Sequence, residues 1–505
     1  MECVMKQKTV RNARKLLDTF EEKAFDGDFV LPEYLPEMAA VLACRMQPTV
    51  ESRQLGGNRL IVDGTVRVQV LYVDQSRNRL FTYETGQPFT ASFTTEDLCE
   101  PAVVYVEPVI SYVNYRAIGP RRLDIRGAWR LYATVFDTLC SELPDRAEES
   151  AVCLKKCVAE GNVPARCANK QFTVNEVLDI GGQIAEKIVR SSANATVSEC
   201  KILPGKAILK GEITVHSLYE VQGREEEDTP TYASCDHTLL YSQMVDCIGL
   251  NDTEQAEYLV SVLSCDVRAD REEGTGQCLL VASIRLSADL QVWESCRCEY
   301  ISDAYGLRCP ATVAFRDQPT TRLLGCGNRR FPIREEVELP EGVCAVVDVW
   351  CDATPIATND GAATYRLLIH LLAADNEGIL SCYERAADVE FPLNSNGNAP
   401  YHRLHLPECS YRIKDGNVLE LDAVGELHLR DLDQRGLHAV CSLALDESHP
   451  YPSEASSVKM IFAEEGESVW EIAKSCHTSV ETVASENDIS EEVLSEKRLL
   501  LIPLN

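Results

Sequence analysis

Val66, Val68, Val70 and Tyr72 alternate with Thr65, Arg67 and Gln69 within the stretch LIVDGTVRVQVLYVD from Leu60 to Asp74. That is the period-two pattern of a strand with one buried and one wetted face. It returns in ILKGEITVHSLYE at Ile208 to Glu220, where Gly211, Leu218 and Tyr219 occupy the places of Gly64, Leu71 and Tyr72. A third copy, TYRLLIHLL at Thr364 to Leu372, keeps the apolar phase in Tyr365, Leu367, Ile369 and Leu371 and loses the Gly and the Leu-Tyr pair. The spacing of roughly 150 residues is that of a domain. A long alternating strand closes each copy, at Leu123 to Phe136, Leu280 to Val292 and Leu419 to Arg430. Short strands joined by turns, with few helices, predict a mainly β chain of three tandem antiparallel, sandwich-like modules.

Between and around these copies the pattern changes. Val10, Ala13, Leu17, Phe20 and Ala24 recur at three- and four-residue steps, which predicts an amphipathic helix within a leader at 1–29. Prolines after Val30 bar a long helix and leave a short helical turn at Pro36 to Leu42 before a strand from Cys44. Polar breaks at Glu142 to Ser150 and at Arg316 to Pro319 bound modules at 30–141, 165–305 and 320–445. DESHPYPSEASS at 446–457 reads as a flexible linker, and 458–505 as an independent unit. That unit reads strand, helix, helix, strand, with Ser468 and Ser479 as caps and a last strand at Leu499 to Ile502. Trp470 is expected in its small core.

Composition narrows the function. The 505 residues carry a net charge of -30, which disfavours nucleic acid and anionic membranes as partners. No apolar run approaches the ~20 residues of a membrane span. The charged start, MECVMKQKTVRNARK, shows no signal segment, so the 22 cysteines are expected as reduced, largely buried thiols in a cytosolic compartment. Cys153 with Cys157, Cys296 with Cys298, and Cys344 with Cys351 lack zinc-site spacing. His402 and His405 lie three apart on a non-helical segment and would face opposite ways. The charge runs at Arg224 to Asp228 and Asp270 to Glu273 suit hairpin loops. No catalytic, metal or cofactor site is predicted, and an enzyme is not expected.

The tail carries the most specific pattern. GESVWEIAK at Gly466 to Lys474, TSV at Thr478 to Val480, NDI at Asn487 to Ile489 and L-x-I-P at Leu500 to Pro503 resemble the LysM domain in the same order. Ile461 and Ala463 depart from that family's usual Tyr and Val, and Glu467 from its Asp. The resemblance implies a shallow groove for N-acetylglucosamine glycans between two loops, here Glu465, Gly466, Glu467, Ser468 and Val469, and Asn487, Asp488, Ile489 and Ser490. LPEYLPEM at Leu31 to Met38 with VDGTVRVQVLYVD, and LPGKAILKGEITVHSLY at Leu203 to Tyr219, look like the SPOCS domain. Several SPOCS modules followed by one LysM resemble SipL-like clostridial spore-coat morphogenetic proteins. The resemblance implies a scaffold made in the mother-cell cytoplasm, acting at the forespore surface. Its implied partners are the basement-layer ATPase and other coat proteins. The segment from Ser456 to Asn505 holds ten acidic residues against four basic, a field that favours a basic protein patch over anionic wall glycan. A peptidoglycan-binding wall protein is the alternative.

Overall fold

The computed structural model describes residues 3–148, 151–222, 230–271, 278–359, 361–452 and 458–503. One six-stranded pattern is repeated three times. The first module comprises β1 (Met5–Val30), β2 (Met38–Gly56), β3 (Arg59–Asp74), β4 (Leu80–Thr94), β5 (Ala102–Gly119) and β6 (Arg122–Ala147). The second comprises β7 (Val152–Leu178), β8 (Ala185–Leu203), β9 (Lys206–Val221), β10 (Thr231–Asp246), β11 (Gln255–Arg271) and β12 (Cys278–Gly306). The third comprises β13 (Ala311–Glu338), β14 (Val343–Asn359), β15 (Ala362–Asp375), β16 (Leu380–Pro392), β17 (Ala399–Lys414) and β18 (Val418–Leu445). Each module stacks a meander of its second to fourth strands on a sheet of its first, sixth and fifth. The orders are β2-β3-β4 with β1-β6-β5, β8-β9-β10 with β7-β12-β11, and β14-β15-β16 with β13-β18-β17. β19 (Val458–Ala463), α1 (Val469–Ser475), α2 (Val480–Glu486) and β20 (Arg498–Pro503) follow. The charge run at Arg224 to Asp228 and Glu272 and Glu273 lie outside the described residues.

The chain differs from the sequence-based expectation at the start of every module. The residues expected as an amphipathic helix are the edge strand β1, paired along its length with β6 from Met5↔Ala147 to Val30↔Arg122. Val10 and Ala13 are buried, whereas Phe20 and Ala24, on the expected inner face, are exposed. The three-residue steps from Val10 to Ala13 and from Leu17 to Phe20 mix residues of both faces of the strand, and a bulge between Lys15 and Leu17 shifts the phase of alternation between them. The expected helical turn at Pro36 to Leu42 is instead a turn at residues 33–35 followed by β2, which starts at Met38. The break expected at Arg316 to Pro319 lies within β13, because an edge strand tolerates a proline whose missing N–H would point away from the sheet.

The repeated glycine has a packing reason. A Cβ on Gly64 would come within 2.1 Å of the Thr49 carbonyl oxygen and 2.6 Å of the Phe89 ring, and one on Gly211 within 1.9 Å of the Thr196 carbonyl oxygen. Both sit on the central strand, across from the aromatic Phe89 or Tyr241. In the third module the register places Tyr365 at this position and Val389 opposite it. The aromatic ring has moved from the edge strand to the central one, and the volume is conserved. Leu372 keeps the place of Leu71 and Leu218, seven residues on in each copy, so only the Tyr of the pair is lost, to Ala373.

Those leucines explain how the modules are arranged. Leu71, Leu218 and Leu372 are buried in one cluster with Leu42, Val189 and Trp350, so the three meanders meet at a common pseudo-threefold axis. The other sheets meet on it too. Past the end of the fifth strand the first and sixth run on as a two-stranded arm, Met5 to Lys15 with Phe136 to Ala147 in the first module. Register makes Phe136, Trp293 and Leu432 equivalent, and all three are buried together with Ala13 and Leu323. Val10, Leu143, Cys298 and Ala439 form the next layer, and Cys3, Ala304, Leu443 and Leu445 the last. The modules therefore close around one axis and do not string out as a rod.

Polar contacts hold each seam. The Leu80 amide donates to the Tyr232 hydroxyl (2.8 Å) between modules one and two, and the Leu380 amide to the Arg77 carbonyl (3.0 Å) between three and one. Between two and three the buried Arg190 Nη1 lies 3.3 Å from Asp348 Oδ2, beneath the Trp350 ring. On the axis, Arg430 stacks over Tyr105, 3.6 Å from its centroid, with Nη1 3.6 Å from Glu257 Oε2. Register makes Tyr105, Glu257 and Tyr401 equivalent, so this charge pair breaks the threefold symmetry. Removing one partner of such a pair costs about 3–5 kcal/mol, because the other charge stays buried.

Two outcomes follow from the axis and its seams. Trp293→Ala should cost about 3–5 kcal/mol and lower a single unfolding transition shared by all three modules, seen as coincident urea curves by circular dichroism and fluorescence. His216 lies between Asp236 Oδ1 (2.8 Å) and Asp348 Oδ1 (3.0 Å). Burial opposes its protonation, but the two carboxylates prevail over it and over Arg190, and push it up to about 9. A folded value above the ordinary one near 6.5 means that the stabilisation is full below about pH 6.5 and lost as pH rises through about 9. The melting-temperature advantage of the wild type over His216→Gln should therefore be largest at pH 6.5 and vanish by pH 10.

Candidate interaction surface

The C-terminal unit is the one part of the chain that does not repeat. Its core is Ala463, Val469, Ile472, Ala473, Cys476, Val483, Leu494, Leu500 and Ile502. The Ser479 hydroxyl caps α2 by accepting from the Thr482 amide (3.0 Å), whereas Ser468, at the N-cap of α1, makes no side-chain cap bond. Trp470 is outside this core, contrary to expectation. Its ring meets Tyr305 of the second module edge-on at 4.9 Å between centroids, and its Nε1 donates to Asp303 Oδ2 (2.8 Å). Lys474 Nζ reaches the same carboxylate oxygen at 2.6 Å. Burial pushes Asp303 up, but these two donors prevail and hold its carboxyl below the usual range. The Tyr305 hydroxyl donates to the Thr478 carbonyl (2.7 Å).

The first half of the expected flexible linker is also held. The Asp446 amide donates to the Pro310 carbonyl and the Tyr451 amide to that of Arg308, while the Tyr451 ring stacks on His477 at 3.5 Å. Residues 453–457 lie outside the described residues.

The two loops expected to form a groove serve different ends. In the first, the Gly466 amide donates to the Leu494 carbonyl, the Val469 amide to that of Glu492, and the Leu494 amide to the Glu467 carbonyl. Ser468 is bridged to Val493, and the side chain of Val469 is in the core. Gly466, at φ 90°, adopts the left-handed backbone that glycine permits. In the second, Asn487 is buried: its Nδ2 donates to the Val483 and Leu501 carbonyls, and its Oδ1 accepts from the Leu501 amide (2.7 Å). Asn487 thus ties the end of α2 to β20. Ile489 packs against the core. Glu465, Glu467, Asp488 and Ser490 are exposed.

A second surface lies on the hairpin of β19 and β20. Ile461, Ala463, Leu500 and Ile502 face the helices. The opposite face carries Val458 (48% exposed), Met460 (68%), Phe462 (66%), Leu499 (54%) and Leu501 (44%). Met460 pairs directly with Leu501 and Phe462 with Leu499, so these side chains form one continuous apolar strip. Its signal was present in the sequence: MIFA and LLLIP run apolar without alternation, which in a two-stranded sheet with one helical cover leaves every second side chain in water. The contact of Trp470 with Asp303 had no such signal.

Other candidates for chemistry are accounted for by packing. His402 Nδ1 pairs with the Tyr365 hydroxyl and its Nε2 with Thr358 Oγ1, both at 2.7 Å, and burial lowers its proton affinity. His405 is held well below its ordinary value, by burial first and then by its neighbours Arg403 and His428. Among the described residues no group of three or more His, Cys, Asp or Glu side chains could hold a metal, and no helix is long and apolar enough to cross a membrane. Asp303→Ala should weaken docking of the C-terminal unit by about 1–3 kcal/mol. The expected result is red-shifted Trp470 emission and faster proteolysis between body and tail, with the tail itself still folded because Trp470 is not in its core.

A protein-family model described as "SipL, SPOCS domain" matches residues 37–118 and 185–270. The matched segments correspond to β2 through most of β5 and to β8 through β11, so they contain the meander and the fifth strand of modules one and two. Searches of curated proteins and of solved structures found no match. The first two modules are thus similar to the SPOCS domain, and the third shares their strand order without matching that pattern.

Proposed function

We propose that this chain is a non-enzymatic scaffold of spore-coat assembly. In this reading the three modules form one rigid body, and the C-terminal unit, a LysM-type domain, docks it to the protein layer at the base of the coat on the forespore surface. The similarity to the SPOCS domain supports a sporulation- or spore-coat-related role. The observation that carries the docking role is the apolar strip Val458, Met460, Phe462, Leu499 and Leu501 on the one unrepeated unit. A contiguous exposed apolar face with acidic loops at Glu464 to Glu467 fits a protein surface that is apolar at its centre and basic at its rim. The basement-layer ATPase, working from the mother-cell cytoplasm, is the partner of choice.

The same geometry counts against wall glycan. Sugar rings are held by stacking on exposed aromatic faces, and Trp470 is covered by Tyr305. Asn487, in the second groove loop, spends its amide on Val483 and Leu501. Substituting Met460→Glu together with Phe462→Glu places charges on outward side chains, so the unit should stay folded. Affinity for the purified basement-layer ATPase should fall at least ~30-fold, as for loss of a hot-spot residue, and the protein should leave the forespore surface. Unchanged affinity, or sedimentation of the wild type with protein-free sacculi, would overturn this assignment.

A further inference from the structure

The sulfur atoms of Cys351 and Cys409 lie 3.7 Å apart, although 58 residues separate them in sequence. Cys351 is on β14 and Cys409 on β17, edge strands of the two different sheets of the third module. The pair therefore sits across the open side of the sandwich. Register puts Met46 and Val113 at the corresponding positions of the first module, and Ala193 and Cys265 in the second, so this place is otherwise closed by apolar contact. Both residues are half-buried. Cysteines closer in sequence, Cys153 with Cys157 and Cys296 with Cys298, lie along single strands, where residues two apart are already separated by about 6.6 Å.

We infer that Cys351 and Cys409 form a redox-active dithiol, oxidised by small-molecule disulfides to a bond that ties the two sheets of the third module together. Cys409 is the attacking sulfur. Its thiol is held below the ordinary value first by the hydrogen bond with Cys351, against burial, with the His216 cation adding to the effect and Asp348 and Asp236 opposing it. The same contact first, and burial second, push Cys351 up, which keeps it protonated until the first exchange has taken place. With glutathione disulfide as oxidant, the Cys409 thiolate attacks one sulfur and expels one glutathione thiolate. Cys351 then loses its proton to solvent and displaces the second glutathione from Cys409. Two protein thiols are oxidised, one glutathione disulfide is reduced to two thiols, and no other reactant is needed. Closing from 3.7 Å to the ~2.05 Å of a disulfide requires the two sulfurs to approach by less than about 2 Å.

The test uses the full-length protein, incubated under anaerobic conditions with glutathione disulfide, alkylated, digested with trypsin and mapped by mass spectrometry. The expected product is a linked pair of peptides containing Cys351 and Cys409, with loss of two of the 22 thiols and recovery on adding dithiothreitol. The link should persist in Cys344→Ser, which separates Cys344 from Cys351 on their shared peptide. In Cys351→Ser the first step should stop as a glutathione adduct on Cys409, and in Cys409→Ser the link should be absent. Full alkylation of both residues in the wild type, glutathione retained on each, or linkage to other cysteines would overturn the inference. Failure of the coat-docking assignment would leave these outcomes unchanged.

Discussion

Everything in this molecule depends on the burial of equivalent side chains from three modules at one axis. Leu71, Leu218 and Leu372 meet at one level and Phe136, Trp293 and Leu432 at another, and no module can bury its own set alone. The axis also accounts for the length of the outer strands. β1, β6, β7, β12, β13 and β18 run 26 to 29 residues, far beyond an ordinary strand, because their extra halves leave the sandwich and form the arms around the axis. Nearly all their partners are distant in sequence, as in the pairing of Met5 with Ala147, so this is a fold of high contact order.

A body of this kind separates architecture from recognition. The repeated strands spend their apolar faces on one another and their polar groups on seams such as Arg190 with Asp348. The C-terminal unit is anchored through Trp470, Lys474 and Thr478 to Asp303 and Tyr305 at the far end of an arm, and keeps its hairpin face free. The unit expected to swing on a tether is thus oriented by the body that carries it. In the proposed role, a fixed orientation would lower the entropic cost of docking to an ordered layer.

The fold class and the central strands were legible because alternation over seven or more residues has few other meanings. β3, β9 and β15 lie where the pattern placed them, as do both short helices. The first strand of each module was not legible. β1 pairs with a strand 92 to 142 residues away, and apolar residues from both of its faces imitate the spacing of a helix. The prolines of β13 read as breaks because edge position is a tertiary fact. At the candidate surface the order of elements was readable, but the roles of side chains were not. Asn487 looked like a groove residue and is a structural tie, while Phe462 and Leu499, set in unbroken apolar runs, face water. Local pattern does not say which of two apolar faces receives the helices.

The central claim is that three modules share one core, and native-state hydrogen exchange of the intact chain tests it most directly. If the axis couples the modules, amides of β3, β9 and β15 are released together by global opening, and Leu372→Ala speeds all three by the same factor. Acceleration confined to β14, β15 and β16, with β3 and β9 unchanged, would show modules that merely touch and would contradict the account.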